Sequence, residues 1–177
     1  MSRCAAARAL LAITAVGAVF ASDSQKRCPG SASWIRAKAQ VTVSTPTASC
    51  SQVADEMKAR VAGQPSRWHD PHNRGTFAIS YSSGNQLALK RLTGDGKYTD
   101  KIMFTFESDG AGCRVFGCSE SQVFSIMDFG TNYCNLRMLY CGSADGCKPV
   151  QHDLTSIEVD ASSSFGASRS LEKCLVV

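Results

Sequence analysis

The residues best suited to chemistry are the three histidines, two of which lie close together in residues 68–73. His69 and His72 flank a proline, and because proline favours extended geometry at the residue before it, this segment is predicted to be a stiff loop. The third histidine, His152, is followed by an aspartate. Three imidazoles and a water would suit zinc, and a neighbouring aspartate can orient an imidazole.

The same histidines allow two further interpretations. His69, His72 and His152 could act as general acid and base in a small hydrolase. Alternatively, residues 68–73 form a polar loop that Trp68 packs onto the core. No Gly-x-Ser-x-Gly motif and no phosphate-binding Gly-x-x-x-x-Gly-Lys motif is present. The sequence therefore predicts no cofactor, and a metal site only in the first interpretation.

The nine cysteines indicate the compartment in which the protein resides. Residues 1–21 have the pattern of a secretory signal peptide, with two arginines, an apolar stretch and small residues at the end. Its removal takes away Cys4 and leaves an even number of cysteines, which an oxidising compartment would join as four disulfides. The sequence predicts a secreted protein, and one specific disulfide, Cys141–Cys147. The cysteines predicted to be paired are Cys28, Cys50, Cys113, Cys118, Cys134, Cys141, Cys147 and Cys174.

Charge and hydropathy argue against two classes of partner. Without residues 1–21 the chain has 17 basic and 15 acidic residues, and a net charge of +2 does not favour nucleic acid. No apolar run reaches the roughly 18 residues needed to span a bilayer. We therefore expect no nucleic-acid partner and no membrane span.

The elements that would position these residues begin with a helix after Ser49. Ser49 and Gln52 have the spacing of a capping box, in which each side chain satisfies a backbone donor. Val53, Met57 and Val61 then recur at four-residue intervals and form one apolar stripe. A glycine and a proline follow, and they are typical of a helix end.

Four strands with period-two apolar patterns come next, separated by short glycine-rich turns. They are predicted at residues 76–81, 87–89, 102–106 and 113–116, and a last strand is predicted at residues 155–159. Short turns join antiparallel neighbours, whereas parallel strands need long crossovers. The predicted fold class is α+β, with one N-terminal amphipathic helix packed on a curved antiparallel sheet of about five to six strands and stabilised by disulfides.

Other segments have weaker patterns. Residues 22–48 are predicted to form an extended N-terminal arm, and residues 49–177 a single domain. Residues 117–133 fit a helix or an extended chain equally well. Alternating apolar residues over 136–140 predict a strand.

The aromatic residues give the main functional hypothesis, a secreted binding module for a small ligand or an extracellular macromolecule. Aromatic side chains on a curved sheet are typical of a pocket for a small apolar ligand. Phe129 and Tyr133 would either present a rigid recognition surface or fill the core beneath their loop. The candidate ligand-binding residues are Phe77, Tyr81, Phe104, Phe106, Phe129 and Tyr133. The alternative is a small secreted hydrolase or metal-dependent enzyme that uses His69, His72 and His152.

Overall fold

The computed structural model describes residues 27–176, so the predicted signal peptide at residues 1–21 lies outside the described part. Residues 27–176 form an α+β structure with one antiparallel sheet of six strands that does not close into a barrel. The predicted fold class is confirmed in these respects. Within these residues, no helix is both long and apolar enough to cross a membrane.

All neighbouring strands of the sheet are antiparallel. The strands are β1 (Lys38–Thr45), β2 (Thr76–Ser83), β3 (Gln86–Leu92), β4 (Thr99–Asp109), β5 (Gly112–Ser121) and β6 (Ile157–Ser163). They lie in the order β2-β3-β4-β5-β1-β6. The predicted meander is confirmed as β2 to β5, and the last strand begins two residues later than predicted.

β1 lies inside the sheet, between β5 and β6. The sequence predicts an extended arm over residues 22–48, and β1 is the part of that segment that pairs into the sheet. Ala39, Val41 and Val43 are buried in the core, and the residues between them are only partly buried. Val43 pairs with Val115, far along the chain. Pairing over such a distance has no local sequence signal.

The predicted helix is α1 (Cys50–Gly63), and it begins with the predicted capping box. The Ser49 hydroxyl accepts a hydrogen bond from the Gln52 backbone N–H, and the Gln52 side chain accepts one from the Ser49 backbone N–H. Val53 and Met57 are fully buried. They join α1 to the apolar core.

A second helix, α2 (Thr131–Tyr140), replaces the strand predicted at residues 136–140. Every residue from 132 to 140 is buried. A helix that is buried all round has no solvent-facing polar stripe, so its sequence shows no amphipathic period, and the short apolar alternation at residues 136–140 does not indicate a strand. Residues 117–121 are extended and belong to β5, and the short helix α3 (Leu171–Cys174) packs against α2.

A buried carboxylate on α1 fixes the segment that follows α2. Glu56 accepts backbone N–H groups from Val150, Gln151 and His152 at 2.9, 2.7 and 2.7 Å. Arg60 donates from Nε to the same carboxylate at 2.7 Å. Burial raises the pKa of Glu56, but these hydrogen bonds lower it by more, so the net shift is downward.

The predicted pairing of all eight cysteines is confirmed. The structure also confirms the one specific pair that the sequence predicts, Cys141–Cys147. The remaining pairs join residues far apart in the chain, and they are Cys28–Cys118, Cys50–Cys113 and Cys134–Cys174. Three of the four bridges therefore tie together segments that are distant in the chain.

Candidate functional site

Four of the six candidate ligand-binding aromatics are core residues. Phe77, Phe104, Phe106 and Tyr133 are between 0% and 5% exposed and belong to one apolar cluster. The Tyr133 hydroxyl donates a hydrogen bond to Glu158 at 2.9 Å. These four side chains fill the space between the sheet and the helices.

Tyr81 lies on the opposite face of the sheet from Phe77, although strict alternation predicts the same face. The register shifts between Ile79 and Tyr81, so that Ile79 pairs with Leu89 and Tyr81 pairs with Ala88. Leu89 is buried in the core, and Ala88 alternates with it. One extra residue in a bulge therefore turns the Tyr81 side chain outward.

The three histidines lie in different surroundings. His69 is exposed, whereas His72 and His152 are partly buried. The backbone N–H of His152 donates to the carboxylate of Glu56 on α1. Among the described residues, no group of three or more His, Cys, Asp or Glu side chains is arranged to hold a metal ion. The structure thus contributes no observation in favour of the histidine-based enzyme.

His72 connects its loop to the start of α2. Its Nε2 lies 3.3 Å from the Thr131 hydroxyl and 3.0 Å from Nδ2 of Asn73. Burial and the positive charge of Arg91 both lower the pKa of His72 below its usual value. We therefore expect a neutral imidazole at pH 7, which acts here as a hydrogen-bonding link.

A buried ion pair joins the histidine loop to the sheet. Arg91 donates from Nε and Nη2 to one oxygen of Asp70, at 2.8 and 2.6 Å, and both side chains are at most 1% exposed. The other oxygen of Asp70 accepts the His72 backbone N–H at 3.0 Å. A Cβ at Gly75 would lie 2.3 Å from the Arg91 guanidinium carbon, so this close approach requires glycine.

Three polar residues stand side by side on adjacent strands, on the face of the sheet that carries the core. Arg91 of β3 pairs in register with Asp100 of β4, which pairs with Ser121 of β5. Asn135 of α2 lies beneath this row and donates from Nδ2 to Asp100 at 2.8 Å and to Ser119 at 3.1 Å. One end of the sheet therefore has a polar interior, while the rest of its core is apolar.

Asp100 is a buried carboxylate with no directly bonded cation among the described residues. It is 2% exposed, and it forms no ion pair within the described residues. Burial raises the pKa of Asp100 above its usual value, although hydrogen bonds from Asn135 and Ser121 and the charge of Arg91 act in the opposite direction. Asp128 adds a further upward contribution through like-charge repulsion.

Residues 123–129, which we call the apolar loop, connect β5 to α2 and expose several large apolar side chains. Phe124, Ile126, Met127 and Phe129 are 66%, 59%, 53% and 76% exposed. A contiguous group of exposed large apolar residues is unusual on a protein surface and indicates an interaction site.

The apolar loop is held in place by its own carboxylate. Asp128 accepts the Gly130 backbone N–H at 3.1 Å, and its second oxygen accepts both the backbone and the side-chain N–H of Asn132 at 2.8 Å. Phe129 has a φ of 53°, in the left-handed region that disfavours a phenylalanine. Backbone strain of this kind is concentrated at functional positions.

A cleft of about 790 Å³ lies between the apolar loop and the turn that joins β3 to β4. This volume is within the usual range of pockets for small molecules, roughly 300–1,000 Å³. Asp100 and Ser121 contribute buried polar groups to the cleft, and Tyr98 contributes an exposed aromatic ring from the turn. The lining residues are Asn73, Arg74, Thr93, Gly94, Asp95, Tyr98, Asp100, Ser121, Val123, Phe124, Ser125, Ile126, Met127, Asp128, Phe129 and Thr131.

Of the candidate ligand-binding aromatics, only Phe129 lines this cleft. Arg91 and Asp100 are not among the site residues predicted from the sequence. The sequence nevertheless contains a signal for both. Arg91 continues the alternation of Leu87 and Leu89, and Asp100 precedes Ile102 by two residues, so both polar residues occupy core-facing positions of their strands. A charged residue at such a position indicates a buried polar site.

Comparisons with known proteins do not identify a relative. No protein-family model, no curated protein and no solved structure matches this chain. Function therefore has to be argued from the chemistry of the site.

Proposed function

We propose that the protein is an extracellular binding module that takes the apolar part of a small ligand into the cleft beside the apolar loop. The observation that carries this proposal is the arrangement of exposed apolar side chains around a cleft whose floor holds buried polar groups. Apolar walls with a few fixed polar groups are typical of small-molecule sites.

The exposed aromatic rings supply the driving force for binding. Phe124 and Phe129 each leave most of their surface in water. Burying one phenylalanine side chain contributes about 1.5–3 kcal/mol. A ligand that covers part of both rings would gain enough free energy for measurable affinity.

The loop is also prepared for binding, which keeps the entropic cost low. Asp128 holds the start of α2, and the Ser125 backbone N–H donates to the Ile35 carbonyl at 3.2 Å. A loop that is already ordered loses little conformational entropy when a ligand arrives.

The disulfides support an extracellular site of action. Four disulfides within one chain are typical of proteins that fold in an oxidising compartment. The predicted signal peptide at residues 1–21 points to the same destination.

The proposal is tested with N-phenyl-1-naphthylamine, an apolar dye whose fluorescence rises on leaving water. We expect saturable 1:1 binding to the wild-type protein. Phe124→Ser and Phe129→Asn should each weaken the affinity about tenfold, because each removes apolar area from the cleft. Asparagine is chosen at Phe129 because it tolerates the left-handed backbone.

Phe165 provides a matched control. It is an aromatic residue that is 88% exposed and does not line the cleft. Phe165→Ser should leave dye binding unchanged. The proposal is refuted if the wild-type protein does not bind the dye saturably, or if Phe165→Ser weakens binding as much as the two cleft variants do.

A further inference from the structure

We propose that the natural ligand of the cleft carries a positively charged nitrogen, which pairs with the carboxylate of Asp100. This inference rests on the proposed function, because it concerns the same cleft. It adds the chemical class of the ligand, an amine or quaternary ammonium group attached to an apolar body.

The buried charges beside the cleft include more carboxylates than cations. Two carboxylates, Asp70 and Asp100, lie close to one guanidinium, that of Arg91. Arg91 directs its Nε and Nη2 hydrogens to Asp70 and donates from Nη2 to the His72 carbonyl as well. Among the described residues, Asp100 is therefore a buried carboxylate that forms no ion pair, whereas buried charges are normally paired.

Asp100 is both buried and part of the cleft lining. Its side chain is almost completely buried by the protein, yet it lines the cleft. Asn135 fixes one of its oxygens through the 2.8 Å hydrogen bond from Nδ2. A cationic group inside the cleft would meet an oriented carboxylate at low dielectric, where a charge-assisted hydrogen bond is strong.

The charged side chains that line the cleft are mostly negative. The charged residues that line it are Asp95, Asp100, Asp128 and Arg74. Asp128 uses its oxygens for Gly130 and Asn132, and Asp95 lies 3.5 Å from the ammonium of Lys97. The excess of carboxylates attracts cations and repels anions, and Asp100 is the carboxylate that remains for a ligand.

The apolar walls define the rest of the ligand. Phe124, Phe129 and Tyr98 present aromatic rings, and Met127 adds a flexible apolar side chain. Such walls suit an aryl or short alkyl group, and aromatic faces also attract cations. A cation on an apolar body therefore matches both parts of the site.

The test compares 4-phenylbutylamine with 4-phenylbutan-1-ol, which has nearly the same shape but no charge, by isothermal titration calorimetry at pH 7.5. We expect the amine to bind the wild-type protein about tenfold more tightly than the alcohol. The anionic 4-phenylbutyrate should bind more weakly than the alcohol.

Two variants locate the effect. Asp100→Asn should remove the preference for the amine and leave the affinity for the alcohol within about twofold of wild type, because asparagine can still accept the Asn135 hydrogen bond. Asp109→Asn removes an exposed carboxylate that does not line the cleft, and it should keep the preference. Near-ultraviolet circular dichroism shows whether each variant retains the native fold.

The outcomes separate this inference from the proposed function. If the wild-type protein binds amine and alcohol equally well, the inference is overturned, while a cleft for apolar ligands still stands. If neither compound binds and the dye does not bind either, the proposed function itself fails. If Asp100→Asn does not fold, the order amine, alcohol, butyrate in the wild-type protein decides the question alone.

Discussion

The buried Asp70–Arg91 ion pair, next to the cleft, is expected to have a large effect on the free energy of unfolding when one partner is removed. Asp70→Asn removes one charge and leaves the shape of the side chain almost unchanged. Arg91 would then be a fully buried cation without its bonded partner. Loss of one partner of a buried ion pair costs about 3–5 kcal/mol, because the other charge stays desolvated.

The surface pair Arg114–Asp109 is a matched control. Its N···O distance is 2.8 Å, but the two side chains are 47% and 46% exposed. Asp109→Asn makes the same chemical change where solvent can replace the lost partner, so we expect a cost of about 1 kcal/mol or less. The difference between the two variants isolates the effect of burial.

The assay is urea unfolding with the disulfides intact, followed by tryptophan fluorescence. Of the two tryptophans, Trp34 is already 93% exposed in the folded protein, so the change on unfolding comes mainly from Trp68. Trp68 is 3% exposed and its ring centroid lies 5.9 Å from that of Phe77, so it reports on the core next to Arg91. Asp70→Asn should lower the midpoint strongly at constant slope, and Asp109→Asn should barely move it.

A double variant completes the test. Replacing both partners, as Asp70→Leu with Arg91→Met, removes the uncompensated charge and should recover much of the loss. The reasoning is refuted if Asp70→Asn costs no more than Asp109→Asn. It is also refuted if the double variant is as unstable as the sum of its single substitutions.

Three further predictions concern the structure around the site. Because the pKa of Glu56 is lowered in the folded state, its contribution to stability is present above about pH 4.5 and is lost as the pH falls through the lowered pKa. When the free energy of unfolding is measured as the pH is lowered, Glu56→Gln should therefore lose less stability than the wild-type protein. Removal of Cys28–Cys118, which spans 90 residues, should cost about 4.6 kcal/mol in urea unfolding, and removal of Cys141–Cys147, which spans 6, about 2.2 kcal/mol. Equal costs would contradict the loop-entropy argument. Gly75→Ala places a methyl group 2.3 Å from the Arg91 guanidinium carbon and should cost about 1–3 kcal/mol by thermal unfolding, and an unchanged melting temperature would contradict the close approach.

The parts of the fold that the sequence predicts correctly are those with local signals. The capping box at Ser49 and the glycine-rich turns between β2 and β5 act over a few residues, and both are found where predicted. The short disulfide Cys141–Cys147 has the same local character.

The parts that the sequence does not predict depend on distant partners. β1 becomes an interior strand only because β5 and β6, remote in sequence, pair with it. α2 is buried on all sides, so tertiary packing rather than an amphipathic pattern determines its helix. The bulge beside Tyr81 shifts an alternation that looks regular in the sequence.

The candidate site shows the same division. Phe129 can be singled out from sequence because Asp128, Thr131 and Asn132 beside it are polar, and it lines the cleft. The relation of Asp100 to Arg91 and Asn135 requires the register of the sheet and the placement of α2. Polar residues at core-facing strand positions are the sequence signal that would have pointed there.

The central claim, that the cleft beside the apolar loop is the binding site, is tested most directly by mapping where a ligand binds. Two-dimensional ¹H–¹⁵N spectra of the uniformly labelled protein are recorded during titration with 4-phenylbutylamine. We predict saturable shift changes concentrated in residues 93–100 and 121–131, with little change in β6. Saturable changes centred elsewhere, or no saturable changes at all, would contradict the claim.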